Sequence, residues 1–288
     1  MSAKGLKRIA KRCCWGFVYY RSAARLLKLI NRENDDPDYR YTFLHTLETL
    51  FRNLASKDVS FSRTTEDSLK GYEAYDDREI RMLEDKVQVI RNGSEVVTMT
   101  FAEARKERLK YLFESVDELI KNGDTKKIRI LEVGCGNLMN AVLTKEKYGD
   151  SVEYHGIDIS PNRIRIGLEH FPELEKENYS ASSITEKTSF EDGEFDIVFS
   201  MHCLEQISYE TKAALKEMYR ICKKRIVMVE PVYENGSFLQ RTYLLALDIT
   251  RILMKSIKEL GYEVIDNRVC DVQSNLYNQS SIVVVRKS

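Results

Sequence analysis

Residues 126–158 read KKIRILEVGCGNLMNAVLTKEKYGDSVEYHGID, and few folds accommodate that run. Ile128–Val133 is a short apolar stretch rich in β-branched residues, the mark of a buried parallel strand. It leads directly into Gly134-Cys135-Gly136-Asn137. A helical pattern follows over Leu138–Lys147, and a second apolar run, Tyr154–Ile157, ends in Asp158. Strand, glycine turn, helix, strand and acid make up the first half of a nucleotide-binding α/β sheet. Gly134 and Gly136 lack a Cβ, so the backbone turns sharply there and a ligand lies close against it. Asp158 falls at the carboxyl end of the second strand, where a carboxylate accepts both hydroxyls of a ribose.

The turn is not that of a dinucleotide site. That fingerprint has a third glycine, which lets the helix pack against the strand, and here the position is Met139. No Walker lysine follows, and the residue before the turn is Glu132, an acid better suited to a cationic ligand than to a phosphate. Leu131-Glu132-Val133-Gly134-Cys135-Gly136 resembles the first motif of class I S-adenosylmethionine-dependent methyltransferases. Gly156-Ile157-Asp158-Ile159-Ser160 is similar to the second motif, whose acid binds the cofactor ribose. Tyr179–Ile184 stands where the family has its third strand and exit. An Asp there often holds the adenine amino group, with the next backbone N–H on the ring. In this chain Ser183 or a neighbour fills that place, and Ile184 follows.

Phe190–Ser200 resembles the family's turn and fourth strand. Met201–Ile207 resembles the segment written V-L-E-H-I in ubiquinone-biosynthesis-like small-molecule methyltransferases, with Gln206 in place of the usual His. The resemblance covers about residues 126–288. It implies an α/β fold with a Rossmann-like seven-stranded sheet, parallel with an antiparallel final strand. It also implies S-adenosylmethionine as cofactor and methyl transfer by in-line displacement. The implied cofactor contacts are Glu132, Gly134, Cys135, Gly136 and Asn137 from the first motif and Asp158 and Ile159 from the second. Ser183, Ile184, Ser200 and Met201 complete them. Two alternatives stay open: a non-catalytic accessory protein that binds the same cofactor, and an enzyme of aminopropyltransferase type. Against the latter, the fourth-strand exit lacks the acid cluster a polyamine would want.

The rest of the chain divides in two. Residues 1–122 read as a mainly helical extension and cap with a short hairpin, and 123–288 as the cofactor-binding domain. Net charge is zero, yet Lys4, Lys7, Arg8, Lys11, Arg12, Arg21, Arg25, Lys28 and Arg32 stand in the first 32 residues without an acid. Residues 1–31 read as a basic helix with an aromatic-apolar face, the pattern of a helix that lies in a membrane interface or docks on protein. A mitochondrial presequence shares that composition. Asp35–Asp38 breaks the helix, and helical periodicity resumes over 41–56. Val87–Arg91 and Glu95–Met99 flank Asn92-Gly93, a hairpin signal. Thr100 and Glu103 match a capping box for a helix that ends at Asn122-Gly123. Tyr39, Tyr41 and Tyr72 are candidates to line a lid.

Downstream, Thr211–Cys222 and Phe238–Leu260 read as helices. Arg225–Val229, Tyr262–Val269 and Ser281–Arg286 read as strands, the last two an antiparallel pair. The six cysteines show no zinc spacing, no metal site is expected, and reduced cytoplasmic thiols fit their usage. No apolar run reaches membrane-spanning length. The expected setting is cytoplasmic, with association at a membrane surface through the basic helix.

His202 is the expected general base. It follows the fourth strand by two residues, and of the four histidines it alone falls on the rim where ligands bind. Glu205 is expected to orient it, to bind a polar acceptor or to cap a helix. Tyr233 and Glu234 are further rim residues, while Glu230 reads as a strand terminator. The fourth-strand exit, Ser200-Met201-His202-Cys203, is not the turn used for an exocyclic amine of a nucleic acid. No cysteine follows a proline, as base C5 methylation would need. The expected acceptor is therefore a small molecule, a glycan or a lipid-linked compound, and nucleic acid is disfavoured.

Overall fold

In the computed structural model the described residues are 77–123, 127–207, 210–237, 240, 241, 244, 252–274 and 278–287. They all fall in one compact unit, Asp58–Ser288, and the other unit is Met1–Lys57. The expectations for the basic helix, the helix over 41–56 and the tyrosines at 39, 41 and 72 lie outside the described residues. So do residues 238, 239, 242, 243 and 245–251 of the helix expected over 238–260.

A short helix, α1 (Arg78–Arg81), precedes a hairpin of β1 (Lys86–Arg91) and β2 (Glu95–Thr100). Asn92 and Gly93 both take positive φ at its turn, the backbone that Asn-Gly supplies with least strain. Helix α2 (Phe101–Lys121) follows at once. The Thr100 hydroxyl accepts the Glu103 N–H, and the Glu103 carboxylate accepts the Thr100 N–H. One face of α2 buries Leu109, Leu112, Val116 and Leu119. These residues share a core with the strand residues Ile128, Ile130, Phe199 and Val229. The hairpin and helix that the sequence groups with the extension thus lie on, or lead into, the sheet's own core.

The sheet begins with β3 (Ile128–Val133), α3 (Met139–Tyr148), β4 (Val152–Asp158), α4 (Pro161–His170) and β5 (Tyr179–Ala181). It continues with β6 (Phe195–Met201), α5 (Thr211–Ile221), β7 (Cys222–Pro231), α6 (Leu253–Glu259) and β8 (Glu263–Val269). A two-residue strand, β9 (Val272–Gln273), and β10 (Ser280–Arg286) close the order. Seven strands pair as β5-β4-β3-β6-β7-β10-β8. The first five run parallel, and β10 is antiparallel to both β7 and β8.

The period of two sorts each strand between two cores. Ile130, Phe199, Val227 and Ile282 face α2 and α3, while Leu131, Val198, Met228 and Val283 face α5 and α6. Burial on both faces explains why these strands read as apolar runs rather than alternations. The segment between β8 and β10 contains β9, which adds to β1 as the third strand of the small sheet. Two residues are too few to show a period.

The chain reverses its direction of growth between β3 and β6, so the carboxyl ends of these strands form the crevice where such sheets bind ligands. Gly167 on α4 tightens that crevice. A Cβ there would lie 2.6 Å from the Asn137 carbonyl oxygen and 2.8 Å from the Asn137 carbonyl carbon. Backbone atoms cannot yield as a side-chain end can. Gly167→Ala is therefore expected to lower stability by about 1–3 kcal/mol, the usual cost of overpacking, and to displace the glycine turn. Urea unfolding measures the first effect, and an unchanged midpoint would show that the loop gives way freely.

Candidate cofactor site

The turn after β3 is held by β4. Gly134 and Cys135 both donate N–H to the Ile157 carbonyl, at 2.8 and 3.0 Å. The Asp158 carboxylate, 5 % exposed, then ties the turn to the next loop. Oδ2 accepts the Gly136 N–H and Oδ1 accepts the Ser160 N–H, each at 2.9 Å. Ser160 caps α4 by accepting the Arg163 N–H, and the Arg163 guanidinium comes within 3.8 Å of Asp158 Oδ2. Gly134 has φ +72°, and a Cβ there would sit 2.5 Å from Cys203 Sγ. Glycine at 134 is thus what lets the loop after β6 close over the loop after β3. Leu138 also takes a positive φ, +63°, and is fully buried at the start of α3. A branched residue adopts that backbone only where its surroundings enforce it.

These loops surround a cavity. Val133, Ile157, Ile184 and Ile207 give apolar walls, and Gly134, Asp158, Ile159, Arg163, Ser182, Ser183, Thr185, His202, Cys203 and Gln206 line the rest. Of the residues expected to hold the cofactor, Gly134, Asp158, Ile159, Ser183 and Ile184 meet here, and so does His202. Gly136 reaches the site through its N–H on Asp158. The Ser183 hydroxyl bonds Thr185, at 2.8 Å to its hydroxyl and 3.3 Å to its N–H.

Other expected residues point elsewhere. Glu132, read as facing a cationic ligand, turns into the α2–α3 layer. It accepts Asn140 Nδ2 at 2.5 Å and the Tyr154 hydroxyl at 3.0 Å. Burial pushes its pKa up to about 7. The Cys135 thiol packs under Gly156 and Tyr179, and burial raises it well above the thiol range. Met201 lies in the α2–α3 core beside Asn140. Ser200 is fully buried on β6. Among the described residues, Ser200 Oγ and Asn137 Nδ2 are buried with no hydrogen-bond partner.

The loop after β6 carries the expected catalytic pair. His202 takes φ +53°, and its N–H donates to the Val229 carbonyl. Its Nδ1 lies 3.2 Å from Glu205 Oε2, and its Nε2 lies 2.7 Å from the Ser280 hydroxyl. The Glu205 carboxylate is thus engaged with the ring, with Gln206 and with Asn278. Glu230 does more than end a strand. Its carboxylate accepts the backbone N–H groups of Cys203, Leu204 and Glu205 at 3.0, 3.1 and 3.3 Å. Burial, with the nearby Glu205 charge, pushes its pKa up to about 7.

Residues 130–225 match the methyltransferase-domain family. Phosphoethanolamine N-methyltransferase 2 of Caenorhabditis elegans is 33% identical over 109 residues, 37% of this chain and 24% of that protein. Ajmaline N-methyltransferase of Rauvolfia serpentina is 32% identical over 119 residues, 40% of each. The chain thus spans well under half the length of these relatives. The magnesium protoporphyrin IX methyltransferase of Synechocystis PCC 6803, solved with bound S-adenosylmethionine, shares the fold at 12% identity. Its TM-score is 0.52, and the match covers 81% of this chain and 100% of that one. Residues 130–225 are thus similar to a methyltransferase domain, and the fold is one that an S-adenosylmethionine-binding methyltransferase also has.

Cavity residues that the motifs do not name are Arg163, Ser182, Thr185 and Gln206. Arg163 had a usable signal, since it stands one turn into the helix after the ribose acid. Ser280 had none. It lies 78 positions from His202 in sequence, and only the antiparallel return of β10 beside β7 brings the two together.

Proposed function

We propose that the chain transfers the methyl group of S-adenosylmethionine to a small-molecule acceptor. The observation that carries this reading is Asp158. Each of its carboxylate oxygens takes one backbone N–H, which leaves each a second lone pair for a ribose hydroxyl. The apolar walls at Val133, Ile157, Ile184 and Ile207 suit the faces of an adenine ring. Asn137 Nδ2, buried and unpartnered among the described residues, is a donor waiting beside the glycine turn, where the amino-acid carboxylate of the cofactor would lie.

The bound cofactor supplies an electrophilic methyl carbon on a sulfonium. The cation is lost toward the transition state, so tight stabilisation of that charge would slow the reaction. The chain's contribution is to align the two partners and exclude water. Glu132 is consistent with this, since its carboxylate is withdrawn from the cavity and bonded within the α2–α3 layer.

The two N-methyltransferase relatives act, by their names, on phosphoethanolamine and ajmaline, which supports a small-molecule acceptor. A negatively charged group on it would suit Arg163, whose guanidinium lines the cavity. The test is release of S-adenosylhomocysteine in the presence of acceptor pools sorted by charge. Turnover is expected with anionic or zwitterionic pools. No cofactor affinity by calorimetry would overturn the reading, and turnover confined to cationic acceptors would remove its anionic part. A glycan or lipid-linked acceptor met at a membrane surface is the finer reading that the basic residues of 1–32 support. Liposome flotation is expected to weaken on deletion of residues 1–31, and equal flotation would remove that reading.

A further inference from the structure

Neither ring nitrogen of His202 is open to an acceptor. Burial pushes Glu205 up, but the charge and hydrogen bond of His202, helped by Asn278 and Gln206, outweigh it and hold this carboxyl below the usual range. An ionised Glu205 only accepts. In the neutral ring the contact at Nδ1 therefore fixes the proton on that nitrogen and leaves the lone pair on Nε2, whereas the charged ring carries a proton on both. That lone pair faces Ser280 Oγ at 2.7 Å, so the Ser280 hydroxyl is its donor.

Ser280 is itself held on both sides. Its N–H donates to Gln273 Oε1 at 2.7 Å. Its carbonyl accepts Gln273 Nε2 at 2.9 Å and the Cys270 N–H at 3.0 Å. Ser280 is 3 % exposed, and His202 is only partly covered and lines the cofactor cavity. Glu205 is likewise braced, by Asn278 Nδ2 at 3.2 Å and Gln206 Nε2 at 2.9 Å. Glu230 pins the backbone between them. A histidine placed only to fill the wall would not require fixed partners at both nitrogens.

We propose that Ser280 is a positioning residue for His202, its hydroxyl covering Nε2 and fixing the ring at the cavity wall. The inference rests on the methyl-transfer reading.

Diethyl pyrocarbonate acylates an unprotonated imidazole nitrogen and probes this cover directly. Applied to the full chain and read by peptide mass spectrometry, it is expected to modify His202 about tenfold more slowly in the wild type than in Ser280→Ala, the scale of one hydrogen bond. Ser280→Thr, which keeps the hydroxyl, is expected to restore the slow rate. Equal rates in wild type and Ser280→Ala overturn the proposal. Should Ser280→Ala lack a folding transition, nitrogen-15 spectra of the wild type decide. The proton is expected on Nδ1 of His202, and a proton on Nε2 of the neutral ring overturns the proposal. Calorimetry with S-adenosylmethionine on the same wild-type sample separates the two ideas, because absent affinity removes the methyl-transfer reading whatever the reagent reports on Ser280.

Discussion

Asp158→Ala is expected to abolish measurable S-adenosylmethionine affinity and to destabilise the fold in the same stroke. The carboxylate serves two masters. One lone pair on each oxygen holds the Gly136 and Ser160 N–H groups, and the remaining pair on each is what a ribose would use. Hydrogen bonds to a charged group contribute about 1.5–3 kcal/mol each, so two lost to the ribose lower affinity by roughly 10²–10⁴-fold. The two abandoned N–H groups lie in a buried turn and cost about 1–3 kcal/mol apiece. The glycine turn would loosen, and Arg163 would lose its anionic neighbour. Asp158→Asn separates the two roles. One amide oxygen still serves one N–H, while the amide nitrogen opposes the other. It is expected to recover part of the stability and little of the affinity. Titration calorimetry and thermal unfolding on the same preparations give both numbers. An alanine variant that binds as the wild type does would remove Asp158 from the site.

That prediction was open to the sequence alone because the motif is local. Between Ile128 and Asp158 the apolar run, the turn residues and the acid are consecutive, and their order already fixes a parallel pair with a ligand at its carboxyl end. The capping box at Thr100 and the hairpin at Asn92-Gly93 were legible for the same reason, since each is decided by side chains within a few residues. What failed was direction. The alternation of β3 puts Glu132 on the face opposite Leu131 and Val133. Its distance from the ligand thus depends on which layer covers which face, and the motif does not say. His202 illustrates a second kind of failure. The sequence places it on the rim correctly, but a positive φ and a partner on β10 decide where its nitrogens point. Long-range pairings such as β1 with β9, or Ser280 with His202, leave no periodic trace.

The stability of the fold is expected to fall, not rise, between pH 5 and pH 7.5, and the buried acids at 132 and 230 are the reason. Burial is the leading cause in both, and it pushes each from an ordinary 4.5 to about 7. Around Glu132, Asn140, Arg105 and Tyr154 pull the other way and Asp158 adds to the rise. Around Glu230, Glu205 adds to it while His202 and the backbone N–H groups oppose it. Above the unfolded pKa the unfolded chain has released these protons and the folded chain still holds them. Folding then takes up protons, so stability drops as pH rises and levels off past the folded pKa. A shift of that size corresponds to about 3 kcal/mol per group at full effect. Glu217 imposes the opposite limb. Burial opposes it, but Arg220 and Thr188 prevail and hold it at about 2, so its contribution is lost as pH falls from 4.5 toward 2. The maximum therefore lies near pH 5. Glu132→Gln tests the cause. The neutral amide can still accept from Asn140 and donate to Tyr154, so this variant is expected to match the wild type at pH 5 and exceed it at pH 7.5. Glu230→Gln is expected to gain less, because its amide nitrogen would face the donor N–H groups that the carboxylate now satisfies. Urea unfolding at pH 5, 6 and 7.5 measures the slope. Stability that climbs steadily from pH 5 to pH 7.5 in the wild type would mean that both carboxyls ionise readily in the folded state, and that the loop bearing His202 is held by a full negative charge throughout.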